Sequence, residues 1–143
     1  MSVRHAIDEE RQLVHTVFEG ELTDDDLRTH LKVLRASPRF HRLMRELMDL
    51  RAVTDVSVSS AMLSASATWV LHAPEARRAL VAPTDLLFGL WRMYQTHLGE
   101  VGELHVGVFR EVEPALQWIG LASEAELPSV PPGDARSAGS ESS

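Results

Sequence analysis

The chain contains no cysteine, which excludes disulfides, thiolate nucleophiles and cysteine-based zinc sites. Basic excess is missing too: 14 Lys and Arg stand against 21 Asp and Glu, a formal net charge of −7. Duplex nucleic acid and anionic membranes both select a basic face, so neither is expected as a partner. No apolar run approaches the roughly 20 residues that span a bilayer. The opening Met1-Ser2-Val3-Arg4-His5 lacks the apolar core of a signal peptide. Together these absences predict a cytoplasmic protein with no membrane insertion. There is no internal repeat. Gly99, Gly102 and Gly107 lie on the wrong side of their strand for a phosphate-binding fingerprint. What is present is one domain's worth of chain, 143 residues of which 44% are apolar, enough to bury a core without covalent staples. Part of the acidity belongs to the C-terminal end, where Glu124, Glu126, Asp134 and Glu141 outnumber Arg136.

The pattern along the chain predicts alternating strands and helices. Residues 3–8 and 12–19 read as two strands joined at Glu9-Glu10-Arg11, the second rich in β-branched and aromatic residues and ending at Gly20. A helix follows with Thr23 as N-cap and Asp26 as its capping-box partner. Asp24, Asp25 and Asp26 also set negative charge at the positive end of the helix dipole. Leu27, Leu31 and Leu34 form its buried stripe, and Ser37-Pro38 ends it. A third strand is expected over Arg45–Leu50, then a Ser-rich turn and a second helix from about Ser59 to His72, broken by Ala73-Pro74. Arg77–Ala82 is the fourth strand, with the short apolar core of an interior position. Pro83-Thr84-Asp85 caps a third helix, in which Leu87, Leu90, Trp91, Tyr94 and Leu98 keep helical period. Leu104–Phe109 is the fifth strand, and Val112, Leu116 and Ile119 mark a closing helix. The expected order is β-β-α-β-α-β-α-β-α. It implies an α/β fold with a mixed sheet, because right-handed crossovers make the later strands parallel. Residues 1–121 form the expected domain. Residues 122–143, rich in Ser, Pro, Gly and Glu, form a tail too polar to order itself.

Two segments carry a family resemblance. They are Ala76-Arg77-Arg78-Ala79-Leu80-Val81-Ala82-Pro83-Thr84-Asp85-Leu86-Leu87-Phe88-Gly89-Leu90-Trp91-Arg92-Met93-Tyr94 and the strand-to-helix turn from Asp49-Leu50 through Ser59-Ser60. With the element order they resemble the STAS domain (sulphate transporter and anti-sigma-factor antagonist), in particular its bacterial group related to anti-sigma-factor antagonists. The likeness covers about residues 3–120. It implies a regulatory, non-catalytic module whose partner is a protein, and a regulatory serine at the start of the second helix. Ser59 or Ser60 matches that position, with Ser57 close by. The family pattern has an acidic residue before the serine pair and a glycine after it, where this chain has Val58 and Ala61.

The residues themselves admit blander readings. Ser57, Ser59 and Ser60 are good N-caps, and one of them has the free N–H groups of the second helix to satisfy. A phosphate on that turn would meet the helix N-terminus favourably. Histidines 5, 15, 30, 41, 72, 97 and 105 show no i, i+4 pair flanking a glutamate, so no metal and no cofactor is expected. His15 and His105 both lie in strands, within reach of each other if their strands are neighbours. Asp24, Asp25 and Asp26 serve the helix cap rather than a cation. Asp49 and Asp55 flank the strand end without a nucleophile–base–orienter trio around them, so no enzyme is expected. Arg35, Arg39, Arg42 and Arg45 around Phe40 read as a solvated rim or an acidic-partner patch. Trp69, Phe88, Trp91, Met93 and Tyr94 are the candidate interface or pocket residues. Leu86, Phe88 and Met93 lie off the Leu87–Leu90–Tyr94 stripe, and a helix apolar on most sides is deeply buried or covered by a partner. The expected function is protein interaction or self-association through the Ser-rich turn and the Thr84–Tyr94 helix, with Phe88, Trp91 and Met93 as apolar contacts. The alternative is a carrier or sensor of a small apolar or lipid-like ligand, in a pocket under the second and third helices. CRAL-TRIO lipid-transfer domains, which STAS-like sheets resemble, bring that alternative to the fold.

Overall fold

The computed structural model describes residues 3–66, 68–69, 71–101 and 105–131. The elements are β1 Val3–Asp8, β2 Leu13–Thr23, α1 Asp24–Ala36, β3 Arg45–Ser57, α2 Ser60–Ser66, β4 Arg78–Val81, α3 Asp85–Val101, β5 Val106–Phe109 and α4 Val112–Trp118. The five strands form one mixed sheet in sequence order, β1-β2-β3-β4-β5. β1 is antiparallel to β2, and each later pair is parallel. Every crossover steps one strand the same way. Right-handed crossovers then set α1, α2 and α3 on a single face.

Side-chain alternation along each strand feeds two layers. On the three-helix face Phe18, Met48, Leu50 and Leu80 pack with Leu27, Met62, Leu63, Leu87, Trp91, Tyr94 and Leu98. On the opposite face Leu13, Leu47, Ala79 and Val81 pack with Val112, Ala115, Leu116 and Ile119 around α4. Ile7, Val14, Leu34 and Met44 close the core beside the end of α1.

Three expectations are corrected. β2 does not end at Gly20. Gly20 takes φ +70°, a conformation that glycine enters freely, beside one of two register shifts at which β3 carries the extra residue, and the strand runs on to Thr23. β3 likewise extends past Leu50 to Ser57, because Val53, Thr54 and Val56 suit a strand and β2 continues to offer its ladder. That extension shortens α2 to Ser60–Ser66.

The third correction concerns the expected tail. Residues 122–131 lie as a strap against the α4 face of the sheet. α4 ends in a Schellman turn: Gly120 takes φ +83°, its N–H donates to Gln117 O (3.0 Å), and the Leu121 N–H donates to Leu116 O (2.9 Å). The chain then doubles back. Arg51 pairs with Glu124 at 2.9 Å, Arg11 Nη1 donates to Glu126 O at 2.8 Å, and His15 Nδ1 lies 3.0 Å from Pro128 O. Arg4 Nη1 reaches Pro131 O. The segment is too polar to order alone, and the sheet supplies its partners. Residues 132–143 lie outside the described residues.

Candidate functional site

The carboxyl edge of the parallel strands carries the Ser-rich turn. At the start of α1, the Thr23 hydroxyl accepts from the Asp26 N–H (3.1 Å) and Asp26 Oδ2 accepts from the Thr23 N–H (2.9 Å). This reciprocal cap leaves Asp24 free to reach across to the next helix. Its carboxylate accepts from the Ser59 N–H (2.9 Å) and the Ser59 hydroxyl (3.0 Å). The same hydroxyl oxygen accepts from the Met62 N–H (3.0 Å), so Ser59 is the N-cap of α2. Ser57 donates to Glu21 Oε2 at 2.6 Å. Ser60 opens α2, and all three serines are exposed. Of the three aspartates, Asp26 caps its own helix, Asp24 clasps the serine turn, and Asp25 lies 4.0 Å from Arg28.

Beside this turn, an open groove of about 500 Å³ runs between the outer half of β3 and the start of α3. Val53, Thr54, Asp55, Val56 and Ser57 line one wall together with Glu21, which β2 sets beside Asp55, and Thr84, Leu86 and Leu87 line the other. The Thr84 hydroxyl caps α3 by accepting from the Leu87 N–H at 3.2 Å. Leu86 is 63% exposed and Met93 46% exposed. Phe88 is half-buried under two guanidinium groups, Arg110 at 4.5 Å and Arg92 at 5.8 Å. Trp69 is half-buried against the core.

The expected contact trio of Phe88, Trp91 and Met93 does not share one surface. Trp91 and Tyr94 are buried, edge to face at 5.1 Å, because Leu87, Trp91, Tyr94 and Leu98 form the stripe that α3 lays on the sheet. The exposed apolar residue beside the serine turn is instead Leu86.

Trp91 and Tyr94 also line a small, partly open cavity of about 40 Å³, walled by α1, α3 and the segment after α2. At its floor sits Glu46, fully buried on β3. Thr16 donates to Glu46 Oε2 at 2.6 Å. His30 Nε2 lies 3.2 Å from the same oxygen, and His72 Nε2 lies 3.2 Å from Oε1. The His72 approach is at contact distance but off the line of a hydrogen bond. Buried Arg78 donates to the Tyr94 hydroxyl at 3.3 Å. Burial opposes the Glu46 charge, yet the His30 and His72 rings outweigh it and hold its carboxyl well below the ordinary range. Burial lowers His72, which Arg78 and His30 reinforce and Glu46 opposes. Burial and His30 lower His5 against a smaller opposing effect of Glu46.

Sequence reasoning missed this cluster. Its signals were a glutamate beside the apolar Leu47-Met48 run and a histidine on the Leu27–Leu34 face of α1. His15 and His105 do not come within reach of each other, because β3 and β4 separate β2 from β5. Among the described residues no group of three or more His, Asp or Glu has metal-holding geometry, and no helix is long and apolar enough to cross a membrane. Arg39 and Arg45 of the basic concentration are used within the fold, Arg39 on Glu9 and Arg45 on the Ile119 and Arg11 carbonyls. No family model matches this chain, and no curated protein matches it.

Proposed function

We propose that this chain is a non-catalytic, STAS-like regulatory module that receives a protein partner on the rim made by Ser57–Ser60, the groove and the start of α3. The hairpin followed by alternating helices and parallel strands supports the fold side of that reading. The observation that carries the functional side is the Ser59–Asp24 clasp, exposed at the carboxyl edge where α/β proteins receive ligands. A phosphate on Ser59 would remove the hydroxyl donor and set about two negative charges against Asp24. Repulsion would then release the α2 terminus from α1, beside a groove already open to a partner. Ser60 and Ser57 are the other acceptors on the same turn. Intact-mass analysis with peptide mapping of residues 49–72, on protein taken from its own cells, tests the switch. Phosphate on one of these serines is the expected result. Unmodified serines under several growth conditions overturn the switch and leave Ser59 as a helix cap.

A separate observation favours a second reading, a small ligand in the cavity beside Glu46. Glu46 Oε1, His30 Nδ1, His72 Nε2 and Trp91 Nε1 are buried without an aligned hydrogen-bond partner among the described residues, and buried polar groups are ordinarily satisfied. A volume of about 40 Å³ suits water-sized guests. A lipid-like guest would require the helices to part. Native mass spectrometry of freshly purified protein tests this reading through a co-purifying mass.

A further inference from the structure

β3 is longer than its neighbour on one side. β4 pairs Glu46–Asp49 with Arg78–Val81, then leaves the sheet through Ala82 and Pro83 into α3. β2, on the other side, keeps pairing until Thr23 meets Ser57. Arg51–Ser57 therefore have a strand neighbour on the β2 side and, among the described residues, none on the β4 side. The Arg51 N–H is taken by Asp49 Oδ1 at 2.9 Å, so the edge proper begins after it. The groove lies alongside this stretch, and the start of α3 forms its far wall. The empty place is the continuation of β4.

We infer that this edge of β3 takes up an extended, basic segment of a protein partner as an added strand. The inference rests on the reading of the rim as a protein-docking surface, and it names the mode and the chemistry. Strand addition needs unpaired backbone groups along an accessible edge, with side-chain contacts at alternate positions. The stretch after Arg51 is roughly 20 Å long at strand spacing, enough for a short peptide strand. Proteins guard such edges with lysine, proline, bulges or a cover. Residues 51–57 contain neither lysine nor proline, Arg51 is committed to Asp49 and Glu124, and the two bulges of β3 fall at Asp49–Ala52 and Val53–Asp55, so that the register is regular again from Asp55 to Ser57. Half-buried Val53 and Val56, with exposed Leu86 opposite, offer the apolar contacts.

Charge selects the partner. Among the described residues, the charged groups that line the groove are Glu21 and Asp55, both exposed, with no cation among them. Asp24 lies next to it at the Ser59 clasp, and Asp85 at the start of α3 is paired with Arg110. A second copy of this chain would bring the same two carboxylates and a net charge of −7, so self-pairing along this edge is disfavoured. A segment alternating lysine or arginine with aliphatic residues meets both walls.

The test uses the full chain and a short peptide of alternating lysine and valine, followed by fluorescence anisotropy and amide hydrogen exchange. Expected are saturable binding and new exchange protection within residues 52–57. The double charge reversal Glu21→Lys/Asp55→Lys, at exposed positions, is expected to weaken binding about tenfold. Methylating alternate backbone nitrogens of the peptide, which keeps its charge, is expected to weaken it by at least about tenfold in one of the two phases. Equal binding of both methylated peptides overturns strand addition. So does protection confined to the serine turn and the start of α3, an outcome that leaves the docking rim itself standing. Equal binding of an aspartate–valine peptide overturns the basic partner. A concentration-dependent dimer abolished by the charge reversal would make a second copy the occupant and overturn the inference.

Discussion

Glu46 is the residue whose surroundings the sequence concealed. A carboxylate with no exposed surface survives in a core only where partners offset its desolvation, and here Thr16, His30 and His72 come from three other segments of the chain. No local spacing announces that meeting, whereas the Thr23–Asp26 cap is confined to four consecutive residues and was legible. Replacing Glu46 by Gln should lower unfolding stability at neutral pH by about 1–3 kcal/mol, read from urea denaturation. The pH dependence has a definite sign. His72 and Glu46 both have folded-state pKa values below their unfolded ones. The stability they contribute is therefore present above the unfolded values of 6.5 and 4.5 and is lost as pH falls. Thermal unfolding should show a level midpoint above neutrality, a decline from about pH 6.5, and a steeper one below about pH 4.5. His72→Gln should flatten the first limb, and an unchanged profile would remove His72 from the account.

Among the elements, the helices that open on side-chain caps were readable, as were β1 and the end of β5 at Phe109, but the C-terminal ends of β2 and β3 were not. Gly20 signals a strand end by itself, but β3 answers it with a bulge on the opposite strand and the ladder continues. Once β3 runs to Ser57, Ser59 becomes the cap and α2 begins at Ser60. That placement also fixes the candidate site. The serine turn was visible as a run of hydroxyl residues, but its clasp to Asp24 depends on α1 and α2 starting side by side. Ser59→Ala removes the cap and one arm of the clasp, and should cost about 1 kcal/mol, measured by chemical denaturation. Asp24→Asn keeps the cap and weakens the clasp, so its loss should be smaller. In α3 the helical period marked Leu87, Trp91, Tyr94 and Leu98 as one stripe and set Leu86 and Met93 off it, as the structure has them; the misreading was to give Trp91 of that stripe a surface contact. The sheet took Trp91 and Tyr94 and left Leu86 in the open.

Across the molecule, α1, α2 and α3 cover one face of the sheet, while α4 and the strap cover the other. The alternation of elements was enough to predict the α/β class, since successive parallel crossovers leave few other arrangements. The strap was not predictable, because its order derives from Arg4, Arg11, His15 and Arg51 on the sheet rather than from its own composition. Ending the chain after Leu121 should lower the midpoint of thermal unfolding by about 5 °C, through loss of these contacts and of Leu127 from the α4 layer. An unchanged midpoint would mean that the strap lies on the sheet without stabilising it. The proposed docking of a protein partner on the groove rim sets that partner against Leu86. Its most direct test is photo-crosslinking inside the native cells, with a photoreactive residue placed at Leu86 and, as control, at Val33, which is exposed on α1. A discrete crosslinked protein is expected at Leu86 and none at Val33. Crosslinks of equal yield at both positions, or none at Leu86, would contradict it.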